Sequence, residues 1–216
     1  MKQERVTFPS GELSLEGVCH LPEGEGPFPG VVVCHPHPSY GGNMDSFVVI
    51  AVCQALCDAG IAGFRFNVPG VGRSEGSLAG PGTPDDVFAA LSCIAGREEV
   101  DAASLGICGY SAGGMAAFSG NAVDRRVSAV AAISPPLAMA TLDGFSGYAG
   151  PKLVISGELD NFTSPGDVER FVDTLSGPKE CYVIPGVDHF WWGYESELGK
   201  TVASFFVKTL IESRRA

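Results

Sequence analysis

Short, continuous apolar runs alternate along this chain with segments whose apolar residues recur at helical spacing. A run of this kind is typical of a strand buried on both faces, as in a parallel sheet covered by helices. The pattern therefore predicts an α/β protein with helices on both faces of a mostly parallel sheet. The apolar runs are GVVVCH (30–35), IAGFRF (61–66), ASLGICGY (103–110), VSAVAAIS (127–134), KLVISG (152–157) and ECYVIPG (180–186).

The segments between these runs predict the helices. Residues 43–60 end at a glycine suited to a helix C-cap, and TPDD (83–86) offers a capping threonine followed by acidic residues. The small-residue segment 112–122 follows one of the apolar runs directly. Two further helices are expected over 164–177 and from about 196 to 213.

The beginning of the chain has a different pattern. VTF (6–8) and LSLEGVCHL (13–21) alternate apolar and polar residues, as half-buried antiparallel strands do. No Pro/Ser-rich linker, long charge run or repeat interrupts the chain, so we expect one domain over residues 1–216. Ligands bind such sheets at the carboxyl ends of the strands, so the residues that follow each strand are the functional candidates.

Charge and composition restrict the partners. The net charge of −11 disfavours binding to nucleic acid or to anionic lipid. The N-terminal residues contain no signal-peptide pattern and no stretch is apolar enough to span a membrane, so we expect a cytoplasmic location. The seven cysteines are odd in number, contain no Cys-x-x-Cys pair and lie mostly in apolar segments, which predicts reduced, buried thiols.

Two stretches match G-x-S-x-G, a pattern that marks a catalytic serine only between a strand and a helix. Ser111, in GYSAG (109–113), directly follows an apolar run and precedes a predicted helix, and its neighbours are small. Ser74, in GRSEG (72–76), lies among loop glycines with no helix after it. We therefore interpret Ser111 as the nucleophile and Ser74 as part of a structural turn.

A nucleophilic serine needs a base, and the base needs an orienting carboxylate. His189 is the histidine that follows Ser111, just beyond the last predicted strand, whereas His20 lies within a strand and is interpreted as structural. Asp160 ends KLVISGELD (152–160), just beyond another predicted strand, and is the preferred carboxylate. The order Ser, Asp, His is one of the known triad orders. The competing carboxylates are Glu158 and Asp188.

An oxyanion hole would complete such a site. One donor is expected to be the N–H of Ala112, and the second should come from the loop HPHPSYGG (35–42). The two prolines of this loop that precede its glycines have no N–H, so His37 is preferred and Ser39 and Tyr40 remain alternatives.

Metal binding by His35 and His37 is a rival interpretation of the same loop. No third metal-ligating residue lies at a suitable spacing in sequence from these two histidines. We therefore expect neither a metal nor another cofactor. Tyr40, Phe190 and Trp191 lie close in sequence to the candidate residues and are expected to form walls of the substrate site.

Four segments taken together, HPHPSYGG, FRFNVPGVGRSEG, GYSAG and GVDHF, give the chain a resemblance to α/β-hydrolases over nearly its whole length. It is most similar to the small, lidless bacterial hydrolases near the dienelactone hydrolases. The resemblance implies Ser111 as nucleophile, Asp160 as acid and His189 as base of a carboxylesterase-like enzyme with a small-molecule ester as substrate. Dienelactone hydrolases proper use a cysteine nucleophile where this chain has Ser111, and Cys108 lies too early, inside the predicted strand, to replace it.

The connection SPPLAMATLDGFSGYAGP (134–151) leaves no room for the lid domain that many α/β-hydrolases insert at this position. We therefore expect an open site that takes short acyl groups. Two other functions remain open at this stage. One is a thioesterase or peptidase with the same triad, and the other is a non-catalytic binding protein on a hydrolase scaffold, which would be expected to lack a triad member.

Overall fold

One sheet organises the computed structural model, which describes residues 1–78, 82–121, 125–137 and 148–214. The strands are β1 (Lys2–Ser10), β2 (Leu13–Leu21), β3 (Phe28–Cys34), β4 (Ala62–Phe66), β5 (Val100–Tyr110), β6 (Val127–Ile133), β7 (Lys152–Gly157) and β8 (Lys179–Ile184). The helices are α1 (Phe47–Asp58), α2 (Pro84–Ala95), α3 (Ala112–Asn121), α4 (Pro165–Thr174) and α5 (Glu195–Phe206).

The strand order is β1-β2-β4-β3-β5-β6-β7-β8. The pairs β1–β2 and β2–β4 are antiparallel, and every other neighbouring pair is parallel. The predicted α/β class, with antiparallel strands at the beginning of the chain and a mostly parallel sheet, is therefore confirmed. Strands β3, β5, β6 and β7 lie in the middle of the sheet and point in one direction, so their carboxyl ends meet at one edge.

Several element boundaries differ from the sequence prediction. Strand β1 is longer than VTF, because its backbone pairs with β2 from Lys2 opposite Leu21 to Ser10 opposite Leu13, whatever the polarity of its side chains. Helix α1 begins at Phe47 instead of residue 43, because Pro38–Tyr40 form a short 3₁₀ turn and the chain turns again before the helix. Helix α5 changes to a π-helical turn over Val207–Ile211.

The core has two parts, one on each face of the sheet. Helices α2, α3 and α4 contribute side chains such as Leu91, Phe118 and Val168 to one part. Helices α1 and α5 contribute side chains such as Val52 and Phe206 to the other. The seven cysteines are free, and five of them are buried: Cys19, Cys34, Cys53, Cys57 and Cys108.

The connection from β6 to β7 spans residues 134–151, which are too few to form a lid domain. Residues 138–147 of this connection lie outside the described part of the chain. Among the described residues, no helix combines the length and the apolar character needed to cross a bilayer.

Candidate active site

Ser111 occupies a sharp turn between β5 and α3. Its φ of 55° lies in the left-handed region, which a residue other than glycine rarely adopts. The turn is so tight that a Cβ on Gly109 would lie 1.9 Å from the carbonyl oxygen of Gly113. The glycines on both sides of Ser111 therefore permit the turn, and helix α3 begins immediately after the serine.

Three side chains from different parts of the chain form one hydrogen-bonded line. His189 Nε2 lies 3.0 Å from Ser111 Oγ, and His189 Nδ1 lies 2.9 Å from Asp160 Oδ2. A carboxylate only accepts hydrogen bonds, so Nδ1 carries the proton and donates it to Asp160. The lone pair of Nε2 then faces the Ser111 hydroxyl, which is the arrangement that a general base requires.

The Asp160 carboxylate is buried and well supplied with donors. Burial alone would raise its pKa, but hydrogen bonds from His189, from the Phe162 N–H and from the Ser134 hydroxyl together hold the pKa below its ordinary value. The Phe162 N–H donates to Asp160 Oδ1 at 2.9 Å. The carboxylate is therefore ionised at neutral pH and can stabilise a positive charge on the neighbouring ring.

The two competing carboxylates have other partners. Glu158 Oε2 accepts the N–H of Gly186 at 3.0 Å. Asp188 Oδ1 accepts the N–H groups of Phe190 and Trp191 at 2.9 Å and 3.2 Å, which shapes the loop that carries His189. The structure thus brings Asp160, and not Glu158 or Asp188, to the His189 ring.

The second G-x-S-x-G stretch has a structural role. Ser74 is buried, donates its hydroxyl to the carbonyl of Asn67 at 2.6 Å and accepts the N–H of Glu16 at 3.0 Å. Gly72 and Gly76 have positive φ values of 58° and 93°, which explains the glycines of this motif as backbone requirements. The hydroxyl of Ser74 is occupied on both sides and lies in a turn that supports β2.

His35 and His20 are buried in neutral form. His35 Nδ1 donates to the Pro36 carbonyl at 2.6 Å, and its Nε2 accepts the N–H of Val68 at 3.3 Å, so both ring nitrogens have partners. Burial lowers the pKa of each histidine to about 4. The described residues contain no group of three or more histidine, cysteine or acidic side chains that could hold a metal ion.

A cavity of about 710 Å³ opens beside Ser111. Tyr40 and Phe190, two of the predicted walls, line it. Phe47 and Trp192, which the sequence analysis did not single out, also line it, and their ring centroids are 5.4 Å apart. The other described lining residues are Pro36, His37, Gly41, Gly42, Asn43, Asp45, Ser46, Val48, Tyr110, Ser111, Ala112, Met115, Ser119, Pro136, Phe162 and His189.

The prediction for Trp191 is wrong. Its side chain is 1% exposed and packs in the core part formed with α1 and α5, away from the cavity. The chain reverses at Trp191, whose φ is 61°, and this turns the side chain of Trp191 into the protein and leaves that of Trp192 at the cavity. The sequence offered two adjacent tryptophans, and this backbone angle separates their roles.

The two predicted oxyanion donors both lie at the cavity. Ala112 and His37 line it, and neither backbone N–H has an acceptor within the described part of the chain. The alternative donors are occupied inside the loop, because the Ser39 N–H donates to His37 Nδ1 and the Tyr40 N–H donates to the His37 carbonyl, both at 3.1 Å. Of the three loop candidates, His37 thus has the free N–H.

Comparison with known proteins places this geometry in a family. Residues 81–197, more than half of the chain, match the Dienelactone hydrolase family. The chain belongs to the dienelactone hydrolase family. An uncharacterized protein of Rickettsia prowazekii is 33% identical to it over 190 residues, which cover 83% of this chain and 79% of that protein.

Solved structures of alpha/beta serine hydrolases agree closely with this one. An alpha-beta serine hydrolase homologue from Coxiella burnetii is 27% identical and superimposes with a TM-score of 0.82 over 94% of this chain and 97% of that one. A serine hydrolase without lid from Xanthomonas campestris is 26% identical, with a TM-score of 0.82 over 96% and 94% of the two chains. This member of the dienelactone hydrolase family is therefore a hydrolase with the α/β-hydrolase fold.

Proposed function

We propose that the protein is a carboxylesterase that hydrolyses small carboxylic esters through an acyl-enzyme on Ser111. The observation that carries the proposal is the line from Asp160 through His189 to Ser111, with contacts of 2.9 Å and 3.0 Å, which ends in an open cavity. Nucleophile, base and orienting acid are each within hydrogen-bonding reach of the next, as acyl transfer by a serine requires.

In the first half of the reaction, Ser111 Oγ attacks the carbonyl carbon of the ester while His189 Nε2 takes the hydroxyl proton. The carbonyl oxygen becomes an oxyanion, for which the N–H groups of Ala112 and His37 are the proposed donors. Asp160 stabilises the positive charge on His189. The intermediate then expels the alcohol, which takes the proton from His189, and the acyl group stays on Ser111.

In the second half, a water molecule gives a proton to His189 and attacks the acyl carbon. The second tetrahedral intermediate uses the same two N–H donors. Its collapse breaks the bond to Ser111 Oγ, which regains a proton from His189, and releases the carboxylic acid. The three side chains return to their starting state, so the cycle consumes only ester and water.

The described walls of the cavity favour an uncharged substrate. They contain no lysine or arginine, and much of their surface belongs to aromatic rings and to Val48 and Met115. Asp45, the one carboxylate at the wall, contacts the guanidinium of Arg65, so their charges offset each other. An apolar acyl or alcohol group gains from leaving water in such a cavity, whereas a carboxylate there would lose hydration without gaining a cationic partner.

A fluorophosphonate probe tests the proposed nucleophile. We expect an adduct that peptide mass mapping locates on Ser111 and that is lost in the His189→Ala variant. A panel of esters, thioesters and amides with the same acyl group then tests the bond type, and we expect the esters to be hydrolysed fastest. Preferred cleavage of thioesters or amides would replace the carboxylesterase by a thioesterase or a peptidase. No adduct on Ser111 would favour a binding protein instead.

A further inference from the structure

The described chain contains three residues other than glycine with a positive φ, and all three belong to the candidate site or to its supports. They are Ser111 at 55°, Ser134 at 45° and Trp191 at 61°. Ser134 directly follows β6, and Trp191 lies two residues after His189. Strained residues of this kind persist only where the surrounding contacts hold them, and they cluster at functional sites.

The side chains of Ser134 and Trp191 are hydrogen-bonded to each other. The indole Nε1–H of Trp191 donates to Ser134 Oγ at 3.0 Å, and both side chains are buried. The backbone N–H of Ser134 donates to the Ile155 carbonyl of β7 at 2.7 Å, which fixes the serine to the sheet. The loop that carries His189 is thus tied through Trp191 to the end of the central strand β6.

The same serine also influences the Asp160 carboxylate, because its hydroxyl contributes to lowering the pKa of Asp160. Ser156 Oγ, in β7, donates to Asp160 Oδ2 at 3.4 Å. Trp191 Nε1–H occupies one lone pair of Ser134 Oγ, so the hydroxyl proton of Ser134 remains available to an acceptor such as the carboxylate. Thr163 also connects the segment after β6 to Asp160. Its Oγ1 donates to the Pro135 carbonyl at 2.8 Å, and its N–H donates to Asp160 Oδ1 at 3.3 Å.

We propose that Ser134 and Trp191 are positioning residues, which together set the distance and orientation between the Asp160 carboxylate and the His189 ring. The inference rests on the proposed function, because it assigns these two residues a part in the same acyl transfer. Neither residue lines the cavity beside Ser111. Their effect is therefore expected in the rate of the chemical steps and not in the affinity for the substrate.

Ser134→Gly separates this role from a structural one. Glycine adopts a positive φ at no steric cost, so the variant keeps the backbone and removes the hydroxymethyl side chain with its hydrogen bonds. We expect kcat to fall between about 10-fold and 100-fold, as small misplacements of catalytic groups can cause. We expect KM to stay within about twofold, because the cavity walls are unchanged. Trp191→Phe, which keeps a buried ring and removes the donor, should behave in the same way.

A double-mutant cycle tests the contact itself. If the two residues act as one unit, the double variant Ser134→Gly/Trp191→Phe will be about as slow as the slower single variant. Ser104→Ala is the matched control, since Ser104 Oγ is also buried and donates to the Leu210 carbonyl at 3.0 Å far from the site. That control is expected to lose stability while its kcat stays the same.

The labelling rate of Ser111 by a fluorophosphonate distinguishes the two ways in which the inference can fail. An unlabelled wild-type protein would overturn the proposed function, and this inference with it. A wild type that is labelled, with Ser134→Gly labelled at the same rate and an unchanged kcat, would overturn the positioning role alone. Parallel losses in labelling rate and kcat, in a variant that is fully folded at the assay temperature, are the result expected from positioning.

Discussion

A Cβ placed on Gly113 would lie 2.4 Å from the carbonyl oxygen of Cys34, at the end of β3. This close approach brings the beginning of α3 against the loop that contains His37. We predict that Gly113→Ala destabilises the protein by about 2 to 3 kcal/mol, because the methyl group meets backbone that has little room to move. It should also lower kcat/KM at least about 100-fold by shifting the turn at Ser111.

Gly166→Ala is the control for this substitution. Gly166 lies in helix α4, where an added Cβ would meet only the flexible end of Arg170. Alanine there should be neutral or slightly stabilising, since it has the higher helix propensity. Urea unfolding and ester hydrolysis measured on both variants check the prediction. Equal stability and activity of the two would show that Gly113 does not require the absence of a side chain.

Asp160→Asn tests the orienting carboxylate. An amide has nearly the same shape, but its NH₂ group can donate to His189 Nδ1 and so favours the tautomer whose Nε2 carries the proton. A serine cannot transfer its proton to that nitrogen. We expect kcat to fall between about 10³-fold and 10⁴-fold, the loss known for this change in a triad, with a much smaller change in KM.

Glu158→Gln is the matched control for Asp160→Asn. Glu158 lies two residues away, and its Oε2 accepts a backbone N–H from Gly186, which the amide oxygen of glutamine can also accept. Its kcat should stay within about twofold of the wild type. A comparable loss of kcat in both variants would mean that the carboxylate acts through loop structure instead of through His189.

Local sequence context predicted the parts of the site that strand ends determine. Ser111 follows β5 and Asp160 follows β7 closely, and a parallel sheet brings such positions to one edge whatever the loops do. His37 emerged as a candidate because prolines, which have no N–H, precede and follow it. These features depend only on residues that are neighbours in sequence, so they can be recognised from one amino-acid sequence.

The walls of the cavity were predicted only in part, because they depend on contacts between distant segments. Whether Trp191 or Trp192 faces the substrate is set by one positive φ, and the buried bond to Ser134 stabilises that angle. Phe47, the first residue of helix α1, also lines the cavity, and its ring packs against that of Trp192 from a distant segment. Neither fact has a local signal in the sequence.

Two buried histidines make the stability of the fold sensitive to acid. Burial lowers the pKa of His20 and of His35 to about 4. In the unfolded chain each binds a proton near its ordinary pKa of about 6.5, so the unfolded state takes up more protons between these two values. Their contribution to stability is complete above about pH 6.5 and is lost as the pH falls toward 4. At pH 5 the loss is about 2 kcal/mol for each histidine.

His20→Gln isolates one of these contributions. His20 Nε2 accepts the Nε–H of Arg65 at 2.9 Å, and the oxygen of glutamine can accept the same bond without titrating. The free energy of unfolding, measured in urea at pH 7.5 and pH 5, should therefore drop by about 2 kcal/mol less in this variant than in the wild type. Identical pH dependence of both proteins would contradict a neutral, buried His20 in the folded state.

The charge of the substrate should control turnover. The 4-nitrophenyl ester of hexanoic acid and the corresponding mono-ester of hexanedioic acid differ by one terminal carboxylate. We expect kcat/KM to be at least about 10-fold higher for the uncharged ester. The reason is that a carboxylate finds no cationic side chain on the described cavity walls. Met115→Arg adds a cation at the wall and should narrow or reverse this preference, whereas Met115→Gln, equally polar but uncharged, should leave it in place. An acidic ester that is cleaved as fast as the neutral one by the wild type would show that the acyl chain does not enter this cavity.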